Sequence, residues 1–293
     1  HLFLGISPAS LVHAPYTPAV SERLVLNAGD YGLAVQERAE LIMLSDIAGY
    51  VGADTCGCLL AIRQDQQEEI SLMIDIGTNG EMVLGNRERM VTCSTAAGPA
   101  FEGAKIECGM RGAAGAVDHV KYEDGKWNYT TVGNKPAVGL CGSGLIDLVA
   151  GLLDAGMLDE NGVLRSGQEK QGVFILVPPE RGGNERGVYL TQKDLGEVQL
   201  AKAAIAAGIQ MLMERLGITE DDICSVYIAG AFGNYMDPVS AGEIGLLPAT
   251  LVKKVKPVGN AAGEGAKIAL VNEKEMLEMD ELVRKIEFVE LAA

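Results

Sequence analysis

The stretch 71-SLMIDIGTNGEMVLG-85 decides the fold and raises the first question about chemistry. Its apolar residues fall in two runs, 71–76 and 81–84, which predict two antiparallel strands joined by a tight turn between Gly77 and Gly80. A turn of small residues needs no acid at the end of a buried strand, yet Asp75 stands there. A carboxylate beside exposed backbone N–H groups is an arrangement that can hold a metal ion and a phosphate.

Composition limits the class of protein. The 293 residues are enough for one large domain or two modest ones. With 40 acidic against 24 basic residues the formal net charge is −16, which argues against nucleic acid or an anionic membrane as the main partner. No apolar run approaches the roughly 20 residues that cross a bilayer, and no secretory signal is visible. We therefore expect a cytoplasmic protein.

The six cysteines are scattered, and no two of them form a C-x-x-C pair. That spacing disfavours a disulfide framework and iron–sulfur ligation within this chain. Three histidines are too few and too dispersed for a zinc site or a Ser-His-Asp triad. The sequence assigns no role to Cys56 and Cys58. The remaining thiols, expected to be small core side chains, are Cys93, Cys108, Cys141 and Cys224.

Runs of strand and helix character alternate along the rest of the chain. Polar and apolar residues alternate over 117–132 on both sides of Asp124-Gly125, and this pattern predicts a β-hairpin. Thr191 followed three residues later by Asp194 predicts the capped start of a long helix. Strands that alternate with helices indicate an α/β fold.

Four glycine-rich turns place backbone N–H groups where no Cβ blocks the approach of a ligand. They are 75-DIGTNGE-81, 141-CGSG-144, 230-GAFG-233 and 259-GNAAGEG-265. The chain has neither a Walker A motif nor G-x-G-x-x-G, so the phosphate cradles of P-loop and Rossmann proteins are disfavoured.

The order of these turns resembles the second half of an actin-like ATPase, of the superfamily that contains acetate kinase, sugar kinases and chaperones. The sequence is closer still to the C-terminal ATPase region of the reductive activators of corrinoid proteins (RACo-like). The segments that carry this resemblance are 73-MIDIGTNGEMVLG-85, 93-CSTAAGPAFEGA-104, 139-GLCGSGLID-147, 190-LTQKDL-195, 199-QLAKAAI-205, 229-AGAFGNY-235 and 243-EIGLLP-248. They cover nearly the whole chain.

The resemblance implies an α/β fold of the actin-like (ribonuclease H-like) type, with a mixed sheet flanked by helices and an incomplete first lobe. Residues 1–69 would be an extended N-terminal segment and the remainder of that first lobe. Residues 70–293 would be the second lobe, with its C-terminal connecting helix and strand. The family's first phosphate hairpin and its N-terminal [2Fe–2S] ferredoxin domain have no counterpart in this sequence. The economical explanation is a fragment that starts partway through the first lobe, and such a fragment could fail to hydrolyse ATP alone.

The resemblance also implies which residues bind Mg²⁺ and ATP. Asp75 would orient Mg²⁺ directly or through water, and the alternative is an aspartate that caps its turn. Glu102 would lie near the metal or the attacking water, and the alternative is a carboxylate at a helix start. Three glycine-rich groups would contact the nucleotide, and a plain turn or helix cap is the alternative for each. They are the phosphate donors Gly77, Thr78, Asn79 and Gly80, the adenosine motif Gly230, Ala231, Phe232 and Gly233, and the anion cradle Gly142, Ser143 and Gly144.

Gln199 and Lys202 lie three residues apart, and therefore on one face of a predicted helix. Polar residues on the similar helix of actin-like chaperones touch the ribose and adenine. The alternative for Lys202 is an aliphatic stem that lies along the apolar stripe with its ammonium in water.

As the resemblance has it, the complete protein would use ATP to return a corrinoid protein from Co(II) to Co(I), with electrons from the absent ferredoxin domain. This chain would supply one side of the nucleotide cleft and part of the surface that docks the corrinoid protein, and a homodimer is compatible with the resemblance. Two alternatives stay open: a small-molecule kinase of the same superfamily, and a non-catalytic docking or dimerisation module.

Overall fold

The structure, a computed structural model, describes residues 1–13, 15–159, 161–165 and 172–291. Its strands are β1 (Leu24–Asn27), β2 (Glu40–Met43), β3 (Ile70–Ile76), β4 (Gly80–Gly85), β5 (Met90–Thr95), β6 (Ala116–Glu123), β7 (Lys126–Thr131), β8 (Gly139–Leu140), β9 (Val173–Val177), β10 (Val188–Thr191), β11 (Ile223–Ala229), β12 (Val255–Gly259) and β13 (Glu287–Phe288). Its α-helices are α1 (Ala53–Ile62), α2 (Gly142–Asp154), α3 (Gln192–Leu216), α4 (Gly230–Gly233), α5 (Pro238–Glu243), α6 (Ala261–Val271) and α7 (Glu273–Val283). Among the helices of these residues, none combines the length and the apolar character needed to cross a bilayer.

The main sheet has six strands in the order β12-β11-β3-β4-β5-β13. Strands β12, β11 and β3 are parallel, β3, β4 and β5 form an antiparallel meander, and β13 adds to β5 in parallel. The predicted hairpin is therefore confirmed as β3–β4, and it lies at the centre of the sheet. The predicted mixed sheet of an α/β fold is confirmed as well.

Helices cover both faces of this sheet because β3 sends alternate side chains to opposite sides. Leu72 and Ile74 join the larger apolar core with α2 and α3. Met73 faces the other way and joins a second core with α1, α6 and α7. Burial on both faces explains why the residues of β3 form a nearly continuous apolar run.

Helices α1 and α6 cross at a point where both lack side chains. A Cβ on Gly265 would collide with the backbone of Gly57, and a Cβ on Gly57 would come within 2.8 Å of the Ala262 carbonyl oxygen. Glycine at both positions therefore allows the two helix backbones to approach closely.

A smaller three-stranded sheet, in the order β7-β6-β8, packs against α2. Its β6–β7 hairpin turns at Asp124 and Gly125, whose φ angles of 50° and 74° are those of the tight turn that this dipeptide favours. The predicted hairpin is confirmed. The capping box of α3 is confirmed too, since the Thr191 side chain accepts from the Asp194 backbone N–H and the Asp194 carboxylate accepts from that of Thr191.

The prediction of four core thiols is wrong for Cys224, which is exposed. It is the second residue of β11, between the buried Ile223 and Ser225, and its side chain lies on the solvent side at this end of the strand. Cys93 and Cys141 are buried as expected, and Cys108 is half-buried.

Candidate functional site

The candidate site lies at the carboxyl edge of the three parallel strands of the main sheet. Strand register places Ala229 of β11 beside Asp75 of β3 on one side and beside Gly259 of β12 on the other. Helix α4 starts immediately after β11, and α6 starts two residues after β12, so both helices open at this edge. In open α/β sheets ligands bind at the carboxyl ends of parallel strands, where helix N-termini favour anions.

Asp75 stands at the centre of this edge. Its Oδ2 atom lies 3.7 Å from the Cys58 sulfur, whose thiol donates to it from α1. On the opposite side a Cβ on Gly230 would come within 2.9 Å of Asp75 Oδ1. Gly230 also has a φ of 88°, which disfavours any residue with a side chain. Glycine at the first position of the predicted adenosine motif therefore leaves space directly beside the carboxylate.

The charge of Asp54 acts on three other carboxylates of the site, which are Asp75, Asp46 and Glu81. Burial raises the pKa of Asp75, the charge of Asp54 in the first turn of α1 raises it further, and the Cys58 thiol lowers it. Burial also raises the pKa of Asp46, and the hydrogen bond from the Ala53 backbone opposes this while the charge of Asp54 adds to it. A bound cation would stabilise the charged forms of these carboxylates, whose pKa values burial and mutual repulsion raise.

Glu81 is the fourth carboxylate, and it lies directly opposite Asp75 in the β3–β4 ladder. Burial raises its pKa to about 7, a hydrogen bond from Ser94 opposes this shift, and the charges of Asp54 and Asp75 add to it. The Ser94 hydroxyl donates to Glu81 Oε1 at 3.1 Å. A glutamate that titrates near neutral pH beside the predicted metal-orienting aspartate is a strong functional candidate.

Sequence reasoning missed Asp54 and Glu81. Glu81 could have been found, because a tight turn fixes the register of a hairpin and so places residue 81 opposite Asp75. Asp54 could have been noted as an acid in the first turn of a helix, but its proximity to Asp75 depends on how α1 packs on the sheet.

The turn between β3 and β4 brings two predicted residues together. The Thr78 hydroxyl donates to Glu102 Oε1 at 2.7 Å, so the predicted acid of the 98–104 segment lies against the predicted phosphate hairpin. The Gly77 N–H donates to the Asn79 carbonyl within the turn. Gly80 is buried, and a Cβ there would come within 2.8 Å of Thr95 Oγ1. Packing against β5 therefore accounts for glycine at position 80.

The predicted anion cradle 142–144 lies against a different sheet. The Ser143 hydroxyl donates to the Asp118 carbonyl oxygen at 2.7 Å, and a Cβ on Gly144 would collide with the backbone of Val117. Gly142, Ser143 and Gly144 are all buried. These contacts account for Ser143 and Gly144 by the close packing of α2 on β6.

Gln199 and Lys202 lie on the same face of α3, but each has its own protein partner. The Gln199 side-chain amide donates to the Asn161 carbonyl oxygen at 2.8 Å. The Lys202 ammonium donates to the Ile244 carbonyl oxygen at 2.6 Å, at the C-terminus of α5. In the adenosine motif, Gly233 is buried against Ile228. The side chains of Ala231 and Phe232 lie outside the described part of the chain.

The donor set around Asp75 suits a hard cation. Within the described residues, no three carboxylate, imidazole or thiolate groups lie close enough together to hold a metal ion by themselves. Mg²⁺ commonly keeps several waters and takes one or two carboxylates together with phosphate oxygens. Asp75 and Glu81 fit that mode, and a nucleotide would complete the coordination.

The comparisons with known proteins identify the family. A family model described as the C-terminal domain of RACo, the ASKHA domain, matches residues 69–293, and a model described as the RACo middle region matches residues 1–67. The chain belongs to the RACo family. Its six-stranded sheet is accordingly that of an actin-like ATPase, as the sequence resemblance predicted.

Individual relatives carry names of the same kind. The chain is 36% identical to a protein named corrinoid activation enzyme RamQ from Eubacterium limosum, aligned over 100% of this chain and 51% of the relative. It is 30% identical to a protein named [Co(II) methylated amine-specific corrinoid protein] reductase from Methanosarcina barkeri, over 87% of this chain and 49% of the relative. A solved structure named reductive activator for corrinoid, iron-sulfur protein superposes with a TM-score of 0.92 at 39% identity, over 100% of this chain and 48% of the other. The chain thus spans about half the length of the relatives it matches.

Proposed function

We propose that this chain forms one side of the Mg–ATP cleft of an ATP-dependent activator that returns a corrinoid protein from Co(II) to Co(I). The names of the three relatives support the reaction. One observation carries the nucleotide role: the Asp75 carboxylate lies at the carboxyl edge of the central sheet, and Gly230 beside it has no side chain.

In this proposal the residues at the carboxyl edge of the main sheet have different roles in nucleotide binding. Asp75 and Glu81 orient a magnesium ion, which neutralises phosphate charge when bound. Backbone N–H groups of the β3–β4 turn, including that of Thr78, donate to phosphate oxygens, and Gly230 keeps the space beside Asp75 free. Glu102, which accepts a hydrogen bond from the Thr78 hydroxyl, orients a water molecule. The cradle 142–144 and the Gln199–Lys202 pair are secondary candidates, since each already has partners within the protein.

The wider proposal concerns the complete protein. Residues 1–69 belong to the first lobe and residues 70–293 form the second, so that ATP between the lobes favours a closed state and hydrolysis releases it. Electrons come from a [2Fe–2S] ferredoxin domain elsewhere in the protein. The corrinoid protein docks on the closed state, and a homodimer in the cytoplasm is the working assembly.

The test compares Asp75→Asn with Asp221→Asn in the protein produced from its complete coding sequence. Asp221 is an exposed acid before β11, so its variant controls for the loss of one charge. We expect Asp75→Asn to abolish Mg·ATP hydrolysis and the absorbance change from Co(II) to Co(I), while Asp221→Asn retains both. Near-normal turnover in Asp75→Asn would refute the role of Asp75.

The same assay separates the alternatives. An activator hydrolyses ATP faster when the Co(II) corrinoid protein is added. A small-molecule kinase would consume ATP with a sugar or organic acid and no corrinoid protein. A docking module would bind the corrinoid protein equally well with and without nucleotide. Either of the last two outcomes would refute the proposed reaction.

A further inference from the structure

Cys58 of helix α1, to which the sequence assigns no role, reaches the candidate site. Its side chain is fully buried, and its sulfur lies 3.7 Å from Asp75 Oδ2. Within the described part of the chain, Cys58 is the only side chain that donates a hydrogen bond to Asp75. The carboxylate at the centre of the sheet edge therefore has a thiol as its side-chain partner.

A contact with α6 fixes the direction of this hydrogen bond. The backbone N–H of Ala262, in the first turn of α6, donates to the Cys58 sulfur. N–H groups of a first helical turn have no acceptor within their own helix, so the sulfur satisfies one of them. A buried thiol keeps its proton at neutral pH, and the S–H group that remains donates to Asp75.

Backbone packing holds Cys58 in this position. Its neighbour Gly57 lies at the α1–α6 crossing, where an added Cβ would come within 2.8 Å of the Ala262 carbonyl oxygen. From the other helix, a Cβ on Gly265 would come within 1.9 Å of the Gly57 carbonyl oxygen. Because the two main chains are in contact here, the thiol has little freedom to move relative to α6.

The two oxygens of Asp75 have different surroundings. Oδ2 faces the thiol, whereas Oδ1 faces Gly230, where an added Cβ would come within 2.9 Å of it. Glu81, opposite Asp75 in the ladder, likewise accepts a hydrogen bond through one oxygen, from the Ser94 hydroxyl. A carboxylate that is already oriented by such a donor loses less conformational freedom when a cation binds to it.

We infer that Cys58 is a positioning residue for Asp75, whose thiol holds Oδ2 so that Oδ1 is presented to the cation beside the nucleotide phosphates. This role rests on the proposed function, in which Asp75 orients Mg²⁺. The alternative is that Cys58 only fills space in the second core, of which it is a member. In that case loss of the thiol would change stability and leave the cation site unaffected.

The S–H stretching band tests the hydrogen bond without nucleotide and without activity. Infrared difference spectra against Cys58→Ser, recorded for the complete protein without Mg²⁺, isolate this band in the wild type and in Asp75→Asn. The band should lie at higher frequency in Asp75→Asn, because an amide oxygen accepts more weakly than a carboxylate. A band that stays in place would overturn the positioning role.

Cys56 is the matched control for this spectrum. It lies on the same helix, is equally buried, and donates to the Ser45 carbonyl oxygen at 3.0 Å. Its band, isolated with Cys56→Ser, should have the same frequency in the wild type and in Asp75→Asn. Equal shifts of the two bands would indicate a general change in α1 and would refute a specific bond to Asp75.

The Mg²⁺ dependence of ATP hydrolysis tests the consequence for the cation. At saturating ATP, Cys58→Ala should need about tenfold more Mg²⁺ for half-maximal turnover, as when a residue that orients a metal ligand is lost. The kcat at saturating Mg²⁺ should change less. Cys58→Ser should restore the Mg²⁺ dependence, because its hydroxyl also donates, and Cys56→Ala should match the wild type.

Comparison of the variants distinguishes this role from the proposed function. Near-normal turnover in Asp75→Asn would refute both. An inactive Asp75→Asn together with wild-type Mg²⁺ dependence in Cys58→Ala would refute the positioning role alone. Equal effects of Cys58→Ala and Cys56→Ala would assign the change to lost packing and would also refute it. If Cys58→Ala does not fold, the S–H band decides, since it requires only the serine variants.

Discussion

Replacing Glu81 with glutamine should stabilise the protein at pH 8 and change its stability little at pH 5. In the folded protein, burial is the main cause that raises the pKa of Glu81 from 4.5 to about 7. Between these two pH values the folded state keeps a proton that the unfolded state has released. The free energy of unfolding therefore falls as the pH rises through this window, and it levels off above about pH 7.

The magnitude follows from the width of that window. A shift of about 2.5 pH units (about 7 minus 4.5) corresponds to about 3 kcal/mol, at about 1.4 kcal/mol per unit. Part of this free energy is lost below pH 5, and water around the partly exposed Glu81 carboxylate reduces the rest by screening its charge. We expect the wild type to lose about 2 kcal/mol more than Glu81→Gln between pH 5 and pH 8.

The assay is urea unfolding at both pH values, followed by fluorescence. Trp127 is the one tryptophan of the chain and packs against Tyr122 and Phe174, so its emission reports tertiary structure. Glu88→Gln is the control, because Glu88 is exposed in the turn between β4 and β5. If wild type and Glu81→Gln show the same pH dependence, Glu81 is not a buried acid of the site and the electrostatic reasoning is wrong.

Three further predictions concern stability and reactivity. Gly265→Ala should lower the melting temperature by several degrees, because its Cβ would collide with α1. Gly196→Ala should raise the melting temperature, because Gly196 lies in open space on α3 and alanine favours the helix. The opposite order of melting temperatures would contradict the α1–α6 crossing. Asp194→Ala should cost about 2 kcal/mol in urea unfolding, because it removes the capping box of α3 and the acceptor of the Glu107 N–H. A cost near zero would contradict the buried role of Asp194. Cys224, the exposed thiol, should react first with a thiol reagent in the native protein, and a fast phase that survives Cys224→Ser would show that another thiol is accessible.

Local sequence determined much of the fold. The β3–β4 hairpin, the Asp124-Gly125 turn and the capped start of α3 depend on contacts between residues close in the chain, and each was predicted correctly. Asp75 at the end of β3 was predicted for the same reason, since strand length and turn position are local properties.

The surroundings of Asp75 were decided by tertiary packing. Asp54 and Cys58 reach it because α1 packs on the sheet beside α6, and nothing in the spacing of residues 54 and 75 specifies that contact. Gln64 shows the same limit. It lies among polar residues between α1 and β3, yet it is fully buried, and its amide donates to the Ser71 and Val83 carbonyl oxygens.

The pairing of His119 with Asp147 depended on tertiary structure completely. His119 and Asp147 are 28 residues apart, and they meet only because β6 packs on α2 through the small residues 142–144. A sequence specifies periodicity, turns and caps through short-range sterics and hydrogen bonds. Burial, pKa shifts and the meeting of distant charges are properties of the packed chain, because they depend on which surfaces exclude water from each other.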